Sequence, residues 1–145
     1  MKNYSFLEST DALDRFVADW REGTLPKSDW THAAHVVVTA YYAFDTPAEE
    51  LFTRMKAGIQ HFNQCVGVID GPDRGYHETL TRFWCNAIAG AIAEVSPATR
   101  FEAAMAAVES FGEDRELPFR HYSFDLVRDR RARREWVAPD REVGL

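Results

Sequence analysis

The chain has 145 residues, 46% of them apolar and 13% aromatic, with a net charge of −6. That is enough for one domain, residues 1–145, with its own core. The acidic balance argues against nucleic acid or an anionic membrane surface as partner. The two cysteines, Cys65 and Cys85, fall in different segments and make neither a disulfide framework nor a zinc ribbon. No apolar run approaches the roughly 18–20 residues that cross a bilayer. The first six residues lack a charged stretch leading into a long apolar run, so no signal peptide is expected and a reducing, cytoplasmic location is.

Pro26, Pro47, Pro72, Pro97, Pro118 and Pro139 are spread evenly along the chain. Proline is tolerated at the first helical position and excluded from helix interiors, so these residues punctuate a series of helices. The first helix is expected over Asp11–Arg21, with Leu13, Phe16, Val17 and Trp20 on one face and Gly23 as its stop. The second, Asp29 to Phe44, begins after Ser28 or Asp29 as cap and is apolar all round, the pattern of a central buried helix. The third opens on Thr46-Pro47-Ala48-Glu49, which reads as a capping box, and buries Phe52, Met55, Ile59, Phe62 and Val66 before Gly67. A loop from Val68 to Arg74 leads to the fourth, about Gly75 to Val95, with Leu80, Phe83, Trp84, Ala87, Ile88 and Ala91 facing in. Ser96-Pro97 caps an alanine-rich fifth helix that ends at Gly112. The segment from His121 to Leu145 is expected to hold short helices near Ser123–Val127 and Arg128–Trp136, with Ser123 as an N-cap. No segment alternates with period two. The fold expected is therefore all-α: a single-domain helical bundle of about five main helices plus short C-terminal ones.

Three of the five histidines lie in two short strings, Trp30-Thr31-His32-Ala33-Ala34-His35 and Gly75-Tyr76-His77-Glu78-Thr79. His32 and His35, three apart, share a helix face that Thr39 and Tyr42 continue. A buried imidazole needs a partner, because an unpaired polar group in a protein interior costs roughly 1–3 kcal/mol. One solution is a divalent transition metal (zinc, iron or manganese) held by His32, His35 and His77, with Glu78 as fourth ligand or general base. His77 and Glu78 are then the catalytic pair of a metal-dependent hydrolase or proton-transfer enzyme acting on a small molecule. The alternative is a metal-free site for a small ligand, or an accessory interaction protein whose histidines and glutamate form a structural network.

Trp30 and Tyr76 flank the motif histidines and are candidate pocket walls, with Tyr42 and Asn63 as further ligand contacts. Asn63 serves equally well as a cap of the loop that follows it. His61 reads as packing or surface, and Cys65 and Cys85 as buried, inert thiols without a neighbouring base. The five arginines between Arg128 and Arg134 invite a phosphate reading, although interleaved Asp129 and Glu135 also fit a solvated helix with internal ion pairs. A small bundle rich in aromatics is compatible with a homodimer.

The two strings, extended through Thr81 and Trp84, and the tail from Tyr122-Ser123 to Trp136-Val137-x-Pro139-Asp140 resemble a group of small bacterial proteins of unknown function. That resemblance implies a helical domain and no particular activity. By position alone, His35 and the His77-Glu78 pair also resemble the HD-type metal phosphohydrolases. Glutamate stands here where that family has aspartate, and the family's downstream metal-binding aspartate has no clear counterpart, Asp125 being a position to try.

Overall fold

A computed structural model describes residues 3–141, so the extreme ends of the expected terminal segments, 1–2 and 142–145, lie outside the described residues. Within them are six α-helices and no strand; the one β-type pairing is an isolated bridge between Gly71 and Arg74. The all-α bundle expected from the sequence is the fold.

Helix α1 (Thr10–Glu22) is capped by Ser9, whose Oγ accepts from the Ala12 amide at 3.0 Å, and stops at Gly23 in the left-handed conformation. It buries Leu13, Val17 and Trp20. Helix α2 (His32–Ala43) buries eight of its twelve residues, as an all-round apolar segment must. It packs against α5 (Arg100–Phe111) and α4 (Glu78–Val95), with α3 (Ala48–Cys65) completing the layer. The face that α5 buries is Ala103, Ala104, Ala107 and Val108, small side chains that let two helix backbones approach closely. Gly58 does the same between α3 and α1: a Cβ there would stand 2.4 Å from Cη2 of Trp20.

The helix starts differ from expectation, and the caps explain why. Residues Lys27–Asp29 form a 3-10 turn, Trp30 leaves helical geometry with ψ of 67°, and Thr31 caps α2, its Oγ1 accepting from Ala34 at 3.2 Å. The capping box at Thr46 does not form: Thr46 Oγ1 is taken by Arg54, and α3 starts after Pro47 with no side-chain cap. Leu51, rather than Phe52, is the fully buried residue of its first turns. Thr99, not Ser96, caps α5. Of the short helices expected in the C-terminal segment, the one within Arg128–Trp136 forms as a short α6 (Arg130–Arg134), while Ser123–Val127 is non-helical and a 3-10 turn at Pro118–His121 precedes it. Ser123 caps neither: its amide and hydroxyl both bond to the Asp140 carboxylate, and Asp129 caps α6.

This last segment is not an appendage. Tyr122, Leu126 and Ala132 form a second apolar cluster with Phe83 of α4. Among the described residues no helix is long and apolar enough to cross a membrane.

Candidate functional site

The string Gly75 to Thr79 is a clasp between the preceding loop, α4 and the C-terminal segment. Gly75 has φ of +78°, and a Cβ there would lie 2.3 Å from Asp70 Oδ1, so only glycine fits the turn. Asp70 Oδ1 accepts from the Tyr76 amide at 2.8 Å and from Asn63 Nδ2 at 3.0 Å. His77 is the N-cap of α4. Its Nδ1 accepts from the Leu80 amide at 3.1 Å, while its Nε2–H donates to the Leu126 carbonyl at 2.8 Å. That pairing fixes the neutral tautomer with the proton on Nε2, and burial holds the imidazole below its usual pKa. Thr79 Oγ1 donates to the Glu135 carbonyl and accepts from the Val137 amide, at 2.9 and 3.0 Å.

Glu78 points elsewhere. Its Oε1 accepts from the Tyr76 hydroxyl at 2.9 Å and pairs with Lys56 at 3.0 Å, in a separate cleft on the far side of Tyr76. The expected set of His32, His35, His77 and Glu78 is therefore not assembled around a common point. His77 has no free lone pair, Glu78 faces another cavity, and among the described residues no three His, Cys, Asp or Glu side chains could hold an ion together. The donor set present does not fit a resident zinc, iron or manganese ion.

Sequence reasoning did foresee convergence in one respect. His32, His35 and His77 all line a single cavity of about 420 Å³ between α2, α4 and the C-terminal segment. Trp30, Tyr76 and Trp84 supply aromatic walls, as expected of the first two. The contributions of Arg115, Phe119 and Val127 were not foreseen. They lie far along the chain from either string, and no periodicity links them.

The three imidazoles differ in how fully they are used. His77 is bonded at both nitrogens. His32, packed 5.0 Å from the Trp84 ring, donates from Nε2 to the Phe111 carbonyl at 2.9 Å, which leaves its Nδ1 bare. Burial outweighs that bond and lowers its pKa, with Arg115 adding in the same direction. His35 bonds to nothing among the described residues. Its ring leans on Trp30 at 4.4 Å, and burial, aided by nearby His32, brings its pKa down to about 4. It is thus a neutral imidazole at pH 7 with an unused donor and an unused acceptor at a cavity wall.

Asn63 takes the loop-holding role and also lines the cavity. Its Nδ2 organises the loop through Asp70, and its Oδ1, on a residue that lines the same cavity, has no partner among the described residues. Tyr42 is outside the site. It is buried against Trp20, with the Arg54 guanidinium over its ring and Arg21 bonded to its hydroxyl. Two helical turns separate it from His35, so a shared face was not a shared cavity. Asp125 is exposed and paired with Arg128. Cys85 is buried, its thiol pushed up to about 12 by desolvation. Cys65, expected buried and without a base, is instead exposed, with His61 Nε2 3.6 Å from its Sγ one helical turn away.

The chain matches no family model, no curated protein and no solved structure. The site's own chemistry therefore carries the functional reading.

Proposed function

We propose that the cavity beside His35 binds a small, largely apolar and planar molecule without the help of a metal ion. The observation that carries this is the bare His35 imidazole. His32, Tyr76, His77, Glu78 and Thr79 each have a protein partner, whereas both ring nitrogens of the half-buried His35 are left to whatever enters the cavity. The volume lies in the range of ordinary small-molecule sites, and apolar walls with a few placed polar groups are the usual composition of such sites. His35 offers a lone pair to a hydroxyl or N–H of the ligand, Asn63 Oδ1 offers a second acceptor, and the rings of Trp30, Tyr76 and Trp84 take the flat body. Binding is favoured over catalysis because a base with a pKa of about 4 has little driving force to remove a proton at neutral pH. The two free thiols support a reducing compartment such as the cytoplasm.

Phenol and toluene, nearly equal in size, separate the hydrogen bond from the apolar contact. Phenol should bind saturably, tighter than toluene, and perturb the Trp30 and Trp84 indole resonances; in His35→Leu the preference should vanish or reverse. Failure of both probes to saturate, or an unchanged preference in the variant, would overturn the reading. So would stoichiometric zinc, iron or manganese in tag-free protein that raises its melting temperature.

A further inference from the structure

On the far side of Tyr76 lies a second cleft, of about 470 Å³, between α3, the loop at 70–72 and α6. Lys56, Arg130, Arg133 and Arg134 line it, against the carboxylates of Asp70 and Glu78. In a chain with a net charge of −6 this is a local excess of cations. The two carboxylates are already engaged, Asp70 Oδ1 with Asn63 and the Tyr76 amide, Glu78 Oε1 with Tyr76 and Lys56. Arg130 is held by Asp73, which binds its Nε and Nη2 at 2.8 and 2.7 Å. Arg134 is exposed and makes no ion pair among the described residues.

Arg133 is the decisive residue. It is 8% exposed, yet no carboxylate lies within ion-pair distance among the described residues. Its Nη1 donates to the Gly75 carbonyl and its Nη2 to that of Val127, at 2.9 and 3.0 Å, while its buried Nε–H finds no acceptor. Carbonyl dipoles satisfy two hydrogen bonds, but the nearby carboxylates of Asp70, Asp73 and Glu78 are held by other groups and none pairs directly with this buried guanidinium, which leaves its charge only partly balanced. The adjoining cleft is where a counter-charge can enter. Guanidinium groups, unlike ammonium groups, match the oxygens of an oxyanion two at a time, and Arg134 has its donors free to do so.

We propose that this cleft is an anion site for a phosphate group, free or as the monoester of a small molecule, with Arg134 as the exposed clamp and Arg133 as the buried positive floor. The site lies across Tyr76 from the cavity beside His35.

Calorimetric titration of the intact protein with inorganic phosphate and with phenyl phosphate, followed by NMR of the arginine Nε–H groups, tests it. Saturable binding that shifts resonances of this cleft and weakens with added sodium chloride is expected. Arg134→Ala should weaken it about tenfold, whereas Arg128→Ala, an exposed arginine outside the cleft, should not. Glu78→Gln keeps the Tyr76 acceptor and removes a lining charge, so it should tighten binding by a few-fold, an effect that mere loss of structure would not produce. Tighter binding of the ester points to a phosphorylated metabolite and equal binding to phosphate itself; both uphold the site. Absence of saturation at about 10 mM phosphate, or equal weakening by Arg134→Ala and Arg128→Ala, would overturn it.

Discussion

His35 couples the cavity to pH. Its pKa is about 4 in the folded chain against 6.5 for the free side chain, so between those values the unfolded chain takes up a proton that the folded chain refuses. Stability associated with this residue is present above pH 6.5 and is lost as pH falls towards 4, on the order of 3 kcal/mol in all. His32 and His77 are shifted in the same direction by burial and act with the same sign. Replacing His35 by leucine, of similar size, removes the proton uptake and an unpaired imidazole together. His35→Leu should therefore be at least as stable as the natural chain at pH 7 and clearly more stable at pH 5. Urea unfolding at both pH values measures it, and an NMR titration of the His35 ring in the natural chain checks the cause. A variant several kcal/mol less stable at pH 7 would show that the imidazole has a structural partner.

At the scale of the element, α4 hangs on its first residue's neighbour. His77 caps the helix and ties it to Leu126, so His77→Ala should cost about 1 kcal/mol for the cap and about 1–3 kcal/mol for the buried carbonyl left without a donor. Asparagine, an excellent N-cap too short to reach Leu126, should recover the first share only. A urea series ordered histidine, asparagine, alanine checks this; equal loss in both variants would remove the cap from the account. The same helix shows what the sequence made legible. Apolar spacing located five main helices, and the two histidine strings led to one cavity. The starts differ where a capping signal goes unused: Thr46 is taken by Arg54 instead of capping α3, and Thr99, three residues past Ser96, caps α5. The ligand set was misread because an imidazole at a helix start looks the same in sequence whether it coordinates an ion or accepts an amide proton. Glu78 was misassigned because its orientation depends on Lys56 and Tyr76, one of which lies twenty-two residues away.

For the whole molecule, the question is whether the C-terminal segment is a docking arm or a wall. Its residues supply Val127 to the cavity beside His35, accept from His77 through Leu126, and grip Thr79 from Glu135 and Val137. Arg133 bonds back to Gly75, and Tyr122 and Leu126 are almost wholly buried. A free arm would have none of these ties. Truncation after residue 120 would strip the partner from the Nε2–H of His77, expose Phe83 and open the cavity to water. Burying a large apolar side chain is worth roughly 1.5–3 kcal/mol, so the loss of Tyr122 and Leu126 alone takes several kcal/mol from a stability typically of 5–15. The truncated chain should therefore melt far lower, or without a cooperative transition, and should lose phenol binding even at temperatures where its far-ultraviolet circular dichroism still reports helix. An interaction arm predicts the opposite: an unchanged melting temperature and intact binding, with only a partner lost. Calorimetry of the two chains side by side decides between them, because a wall cannot be removed without lowering the melting transition and an arm can.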